Sequence, residues 1–269
     1  MQFRSKLLAA ALFSSLLIAP VSADSSSPLS LAKLVAQREA NEGRVGTMHF
    51  ELKNKAGRSR QRTALMVHSD KGSVEQIAIY FMKPSMIENT AFLSHNHTSR
   101  ADQNWLYLPA TDRVRRLPVS ERSDYFMGTD LTYGDLQDNF KFDLGDWNFV
   151  DARQGKIGGK TYPLLEGVAK TRGKAAEMGY SGFKALIDQR TGFPVWTEYT
   201  DVDGEPLKRI RVYETKIVGG AHTAMRFSIH NIQTGHTTLV HFTNMRHVPN
   251  LDDSVLSSKS LAYGVPSIN

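Results

Sequence analysis

Residues 194–212 read PVWTEYTDVDGEPLKRIRV, and treating Asp203-Gly204 as a two-residue turn decides what kind of chain this is. With that turn, Glu198 falls opposite Arg209 and Trp196 opposite Arg211 on one face, while Thr197 faces Ile210 and Val195 faces Val212 on the other. One face is charged and the other mostly apolar, the division that a half-buried antiparallel sheet requires. The next hairpin repeats it. A Thr234-Gly235 turn sets Phe227 against Phe242 and Ile229 against Val240, with Ser228 and His241 on the opposite face. A one-residue slip would scramble either pattern, so the two turns support one another.

Working outward, the same period of two runs through GTMHFELKNK (46–55), RQRTALMVHSD (60–70), VEQIAIYFMK (74–83), TAFLSHN (90–96), NWLYLPA (104–110) and FKALIDQ (183–189). With the strands of the two hairpins, this predicts about ten short strands in succession, an antiparallel meander curved into an open sheet or barrel. Only PLSLAKLVAQREANEG (28–43) breaks the pattern, with Leu31, Leu34 and Val35 at helical spacing, Pro28 at its start and Gly43 at its end. The fold class is thus mainly β, with one N-terminal helix. No linker or composition shift divides the sheet, so residues 24–269 read as a single domain.

Two strands are apolar on both faces. In 74–83, Ile77, Ile79 and Phe81 oppose Ala78, Tyr80 and Met82, and in 104–110, Trp105 and Tyr107 oppose Leu106 and Leu108. Either protein covers both faces, or one face lines a cavity for an apolar ligand. The covering element is DYFMGTDLTYGDLQD (124–138). Its Asp130, Asp135 and Asp138 lack the spacing and terminal glutamate of a calcium loop. It reads as a short helix with a loop, a lid whose Phe126, Met127, Leu131, Tyr133 and Leu136 lie on the sheet and whose acids pair with Arg113, Arg115, Arg116 or Arg122. The arginines have a competing use in meeting a lipid phosphate.

No catalytic, metal or cofactor motif emerges. His95 and His97 share a face in an extended chain, but no third ligand lies near them. The sequence has no GxSxG elbow, P-loop or dinucleotide fingerprint. It has no cysteine, which excludes disulfides, thiolate chemistry and the lipid attachment of bacterial lipoproteins. MQFRSKLLAAALFSSLLIAPVSA (1–23) combines Arg4 and Lys6, an apolar run and a small-residue site, so a signal peptide cut after Ala23 is expected. Its removal leaves 31 basic residues against 27 acidic, where the whole chain has 33 against 27. Such a mild excess suits transient membrane contact and not nucleic acid.

WLYLPATDRVRRL (105–117) followed by SDYFMGTDLTYGDL (123–136) resembles the most distinctive block of the LolA-like family of outer-membrane lipoprotein-sorting proteins. The resemblance continues through ALIDQRTGFPVWTEYTDVDGEPLKRIRV (185–212) and LDDSVL (251–256). It implies a curved antiparallel half-barrel, its concave face covered by helices and holding lipid or lipoprotein acyl chains. It also implies association with an RND or MMPL-type inner-membrane exporter.

The expectation is therefore a monomeric, non-enzymatic periplasmic carrier that moves a lipid or lipoprotein acyl chain toward the outer membrane. Its cavity would be lined by Ile79, Phe81, Phe92, Trp105, Tyr107, Phe126, Met127 and Tyr133, with Arg113, Arg115, Arg116, Asp130 and Asp135 as lid or headgroup contacts. A second reading is an accessory subunit of the exporter, the cavity being simply core. A third, a lipid-modifying hydrolase, has no nucleophile with an activating base to name.

Overall fold

The computed structural model describes residues 27–38 and 42–268; the expected signal sequence lies outside them. Among the described residues thirteen strands form one open antiparallel sheet. They are β1 (Arg44–Lys53), β2 (Ser59–Asp70), β3 (Val74–Lys83), β4 (Ala91–His97), β5 (Gln103–Leu108), β6 (Arg113–Leu117), β7 (Trp147–Ile157), β8 (Lys160–Ala169), β9 (Gly182–Asp188), β10 (Phe193–Thr200), β11 (Pro206–Val218), β12 (Ala221–Asn231) and β13 (Thr237–His247). Their order is β6-β5-β4-β3-β2-β1-β13-β12-β11-β10-β9-β8-β7. The chain begins in the middle of the sheet, meanders to the edge at β6, and crosses to the far edge at β7. It then meanders back until β13 pairs with β1. The crossing segment, 118–146, has to traverse a face of the sheet, and this places the lid.

Beneath it, Phe50, Phe81 and Phe92 from one half of the sheet share a core with Ile210, Phe227 and Val240 from the other half and Phe126, Leu131 and Leu136 from the crossing. The sheet curls around the segment it packs against. On the opposite face, the C-terminal stretch lays Val248, Leu251, Leu256 and Leu261 on Ala78, Tyr80, Leu93 and Tyr107. Tyr80 Oη donates to Val255 O at 3.0 Å, so the phenol is satisfied while its ring is buried. Protein thus covers both faces of β3 and its neighbours.

The additional strands are β6, β7 and β8. β6 is a basic edge strand exposed at four of its five positions, and β7 and β8 mix half-buried and exposed positions and carry Gly155, Pro163 and Gly167. None buries a full face, so the hydrophobic alternation that marks the other ten is missing. Gly158-Gly159, both at positive φ, make the two-residue turn that joins β7 and β8.

The first hairpin keeps its expected register at Trp196↔Arg211, Thr197↔Ile210 and Glu198↔Arg209, although Asp201 N bonds to Glu205 O and the turn is one residue longer; a bulge at Thr200/Pro206 absorbs the difference. The second is corrected by two residues. Phe227 pairs with Val240 and Ile229 with Thr238, because Asn231 N bonds to His236 O and closes a four-residue loop. A shift of two preserves the side-chain faces, so Phe227, Ile229 and Val240 still point inward.

Helix α1 spans Pro28–Ala36, capped by Ser27 Oγ, which accepts from Ser30 N, and it buries Leu31, Ala32 and Val35. It ends well before Gly43, since past Val35 no apolar residue continues that face.

Candidate functional site

The lid is assembled from local rules. Thr132 caps helix α2 (Tyr133–Asp138) in a capping box with Asp135, which turns Tyr133 and Leu136 toward the sheet. A tight turn at Phe126–Gly128 holds Met127 in the left-handed region and drives the Phe126 ring inward. That ring lies 5.5 Å from Phe81, 5.7 Å from Phe92 and 5.7 Å from Tyr133, centroid to centroid. Burying Phe126 is worth about 1.5–3 kcal/mol, and the aromatic contacts add to it.

Polar ties hold the two ends of the lid. Arg62 Nη1 donates to Met127 O. Arg38 donates to Phe140 O at 2.8 Å and Asn139 O at 2.5 Å while its guanidinium stacks 4.2 Å over Phe193. In the middle, buried Lys208 pairs with Asp135 and also donates to Asp130 O at 3.3 Å.

Between lid and sheet lies a cavity of about 90 Å³. Its apolar wall comes from Met48, Met66, Ile77, Ile79, Phe227 and Phe242 on the sheet and from Leu131, Leu136 and Phe140 on the lid segment. Pockets that hold drug-sized ligands run roughly 300–1,000 Å³. With the lid down there is room for a few methylenes but not a whole acyl chain.

One end of the cavity is charged. Successive inward rows on β1, β2 and β3 read Arg44–His68–Ile77, Gly46–Met66–Ile79 and Met48–Ala64–Phe81, so polar groups occupy the row at one end and apolar groups the rows beyond. Arg44 donates to Thr223 Oγ1 at 2.6 Å and to His68 Nδ1 at 2.9 Å. A guanidinium only donates, so Nδ1 carries no proton and His68 Nε2–H donates to Glu75 Oε1 at 2.8 Å. Burial, and then Arg44, push the His68 pKa down and keep the ring neutral. Glu75 also accepts from Asn139 and from Lys141, both at 2.7 Å. Burial opposes its ionisation, yet the bonds from His68 and Lys141 hold its carboxyl below the usual range. Arg38, Asp70, Glu75, Asp138 and Lys141 also border an open groove of about 490 Å³ on the outside, and this polar row is the wall between groove and cavity.

The structure separates the residues expected to line the site. Ile79 lines the cavity, as does Asp135. Phe81, Phe92, Phe126 and Tyr133 cluster together as packed core beneath the lid, with Met127 against them. Trp105 and Tyr107 lie on the opposite face, since Phe92 pairs with Leu106 and it is Leu106 that points to the lid. Trp105 stacks edge-on with His95 at 4.9 Å, and Tyr107 packs under the C-terminal stretch. His95 Nε2 is bonded to Leu256 O at 2.7 Å.

The ion pairs are also redistributed. Arg122, not the β6 arginines, binds the lid acid Asp138, at 2.7 Å, and joins it to Asp146 and Glu177. Asp130 pairs with His236 and accepts from Thr238, both at 2.7 Å. Arg115 pairs with Glu121, while Arg113 and Arg116 stand exposed on β6. Arg38, Arg44, His68, Glu75 and Lys141 are missing from the sequence reading. The available signal was parity: His68 falls in phase with Met66, and Glu75 with Ile77 and Ile79, on the inward face.

Comparison with known proteins places this arrangement. A crystal structure of a domain named for outer membrane lipoprotein sorting, from Vibrio parahaemolyticus, matches with a TM-score of 0.78 and 27% identity, over 87% of this chain and 97% of that one. A DUF1329 family protein from Desulfovibrio piger matches with a TM-score of 0.79 and 21% identity, over 88% and 98%. A LolA superfamily protein from Nitrosomonas europaea matches with a TM-score of 0.65 and 17% identity, over 87% and 98%. No curated protein matches the chain. A family model, described only as that of an uncharacterized protein, matches residues 73–262. The chain belongs to that family, and its fold is the LolA-like fold of the outer-membrane lipoprotein-sorting proteins.

Proposed function

We propose that the protein is a periplasmic carrier that takes an acyl chain of a lipid or lipoprotein beneath its lid and delivers it toward the outer membrane. The fold is shared with a domain named for outer membrane lipoprotein sorting and with a LolA superfamily protein, which supports this reading. The observation that carries the reading is the lidded cavity, apolar along its body and bordered by a surface groove at its polar end. On this reading the small cavity belongs to a closed state, and loading requires the lid to lift so that Phe126 and Leu136 exchange contacts with the sheet for contacts with the chain. A captured chain gains about 0.8 kcal/mol per methylene removed from water, which offsets the cost of opening.

Native mass spectrometry of the protein purified from its own cell envelope, with lipid extraction of the same sample, tests this. A discrete bound acyl lipid is expected. Protein that emerges empty and ignores added lipid would overturn the reading. The exposed Arg113 and Arg116 on the edge strand β6 favour a second role, docking to an inner-membrane exporter of the RND or MMPL type. Co-purification lost on changing both to Glu would support it.

A further inference from the structure

The charged end of the cavity has an imbalance. Asp70 and Glu75 are both taken by Lys141, and Glu75 accepts from His68 and Asn139 as well. Arg38 and Arg44, by contrast, form no ion pair with any carboxylate among the described residues. Arg44 is 6% exposed, and its Nε has no hydrogen-bond partner among the described residues. A buried cation with no carboxylate bonded to it is costly, and a buried donor left unmade adds to that cost. Burial lowers the pKa of both guanidiniums, that of Arg38 to about 10, against the opposing charges of Glu75 and Asp70, and an arriving anion would act in the same direction as those carboxylates.

These groups sit where an amphiphile would place its head. Arg38 borders both the groove and the cavity, Arg44 and His68 line the charged end of the cavity, and the apolar rows of Met66, Ile79 and Met48 extend inward from them. We infer that Arg44 and Arg38 form a subsite for the anionic group, carboxylate or phosphate, of the amphiphile whose acyl chain fills the cavity. The inference rests on the carrier reading above and narrows its cargo to acyl lipids bearing a negative charge close to the chain. Arg44 supplies the Nε–H that has no partner among the described residues. Arg38 exchanges its bonds to Asn139 O and Phe140 O for the anion, so that capture of the head releases one end of the lid.

Titration calorimetry of the purified protein with oleate, oleoyl lysophosphatidic acid, methyl oleate and inorganic phosphate tests it. Both anionic amphiphiles should bind at least about tenfold tighter than the ester, as expected for charge-assisted hydrogen bonds. Arg44→Gln should remove most of that difference. The comparison of acid with ester on the unaltered protein needs no variant to fold. Equal affinity for oleate and methyl oleate would overturn the anion subsite and leave the carrier standing. Binding of neither would sink both. Inorganic phosphate binding as tightly as lysophosphatidic acid would mean a site for free anions, and would overturn the headgroup assignment.

Discussion

Lys208 of β11, 0% exposed, places its ammonium against the carboxylate of Asp135, the third residue of the lid helix α2. Lys208 Nζ lies 4.7 Å from the ring centroid of Tyr180 and 5.8 Å from that of Tyr199, and Tyr180 Oη donates to Asp135 Oδ1 at 3.0 Å. This pair pins the middle of the lid to the sheet. Removing one partner leaves the other charge buried and alone. Lys208→Met should therefore cost about 3–5 kcal/mol, with most of it restored in the double variant Lys208→Met/Asp135→Leu. Urea unfolding of the two variants checks this, and a midpoint for Lys208→Met at the unaltered value would refute it.

The other end of α2 makes stability depend on pH. Burial pushes the Asp138 carboxyl up to about 7, against the opposing charge of Arg122 and with Asp135 and Asp146 adding to the rise. Folded protein then holds this proton more tightly than unfolded chain, so the contribution of Asp138 to stability is complete below about pH 4 and lost as pH rises through about 7. Asp138→Asn stays neutral throughout. Its Tm should match the unaltered protein near pH 5 and exceed it at pH 8, whereas a constant difference across that range would contradict the assignment.

Why some of this was legible and some was not follows from what each residue faces. Strands β1–β5 and β9–β13 bury at least one row of side chains, and burial writes the alternation that reveals them. β6 borders water along most of its length and β7 buries only Trp147 fully, so nothing in RVRRL or WNFVDARQGKI records a strand. Alternation also separates two faces without saying which is concave. Trp105 and Leu106 are equally apolar, and only the crossing of the lid segment distinguishes the face of Leu106 from that of Trp105. The charged row was hidden for another reason: His68, Asp70 and Glu75 flank the turn at Lys71–Ser73, where polar residues are ordinary, and their inward phase appears only once the register is known.

The far half of the sheet offers a test of packing alone. A Cβ at Gly167 would lie 2.3 Å from Cε1 of Phe183. That ring is stacked 4.1 Å from Phe142 and meets Trp147 edge-on at 4.9 Å, so it has nowhere to retreat. Gly167→Ala should destabilise by about 1–3 kcal/mol, the usual cost of overpacking. A thermal melt reads it directly, and an unchanged Tm would mean that the aromatic stack is looser than its geometry.

The two faces of the sheet should respond differently to substitution. Ala224 lines the cavity of about 90 Å³, and Ala224→Leu puts three further carbons into it. At about 0.8 kcal/mol per buried methylene, the variant should gain up to about 2 kcal/mol in stability while binding oleate at least about tenfold more weakly, because the side chain occupies the space of the ligand. Trp105→Ala acts on the opposite face, where the indole packs against His95 and the C-terminal cover. It should lose about 1–3 kcal/mol of stability with oleate affinity unchanged. If Trp105→Ala abolished binding and Ala224→Leu left it intact, the lid-side cavity would not be where the chain goes. The opposite pattern ties ligand to the concave face, since two substitutions of apolar residues then differ only in which side of one sheet they occupy.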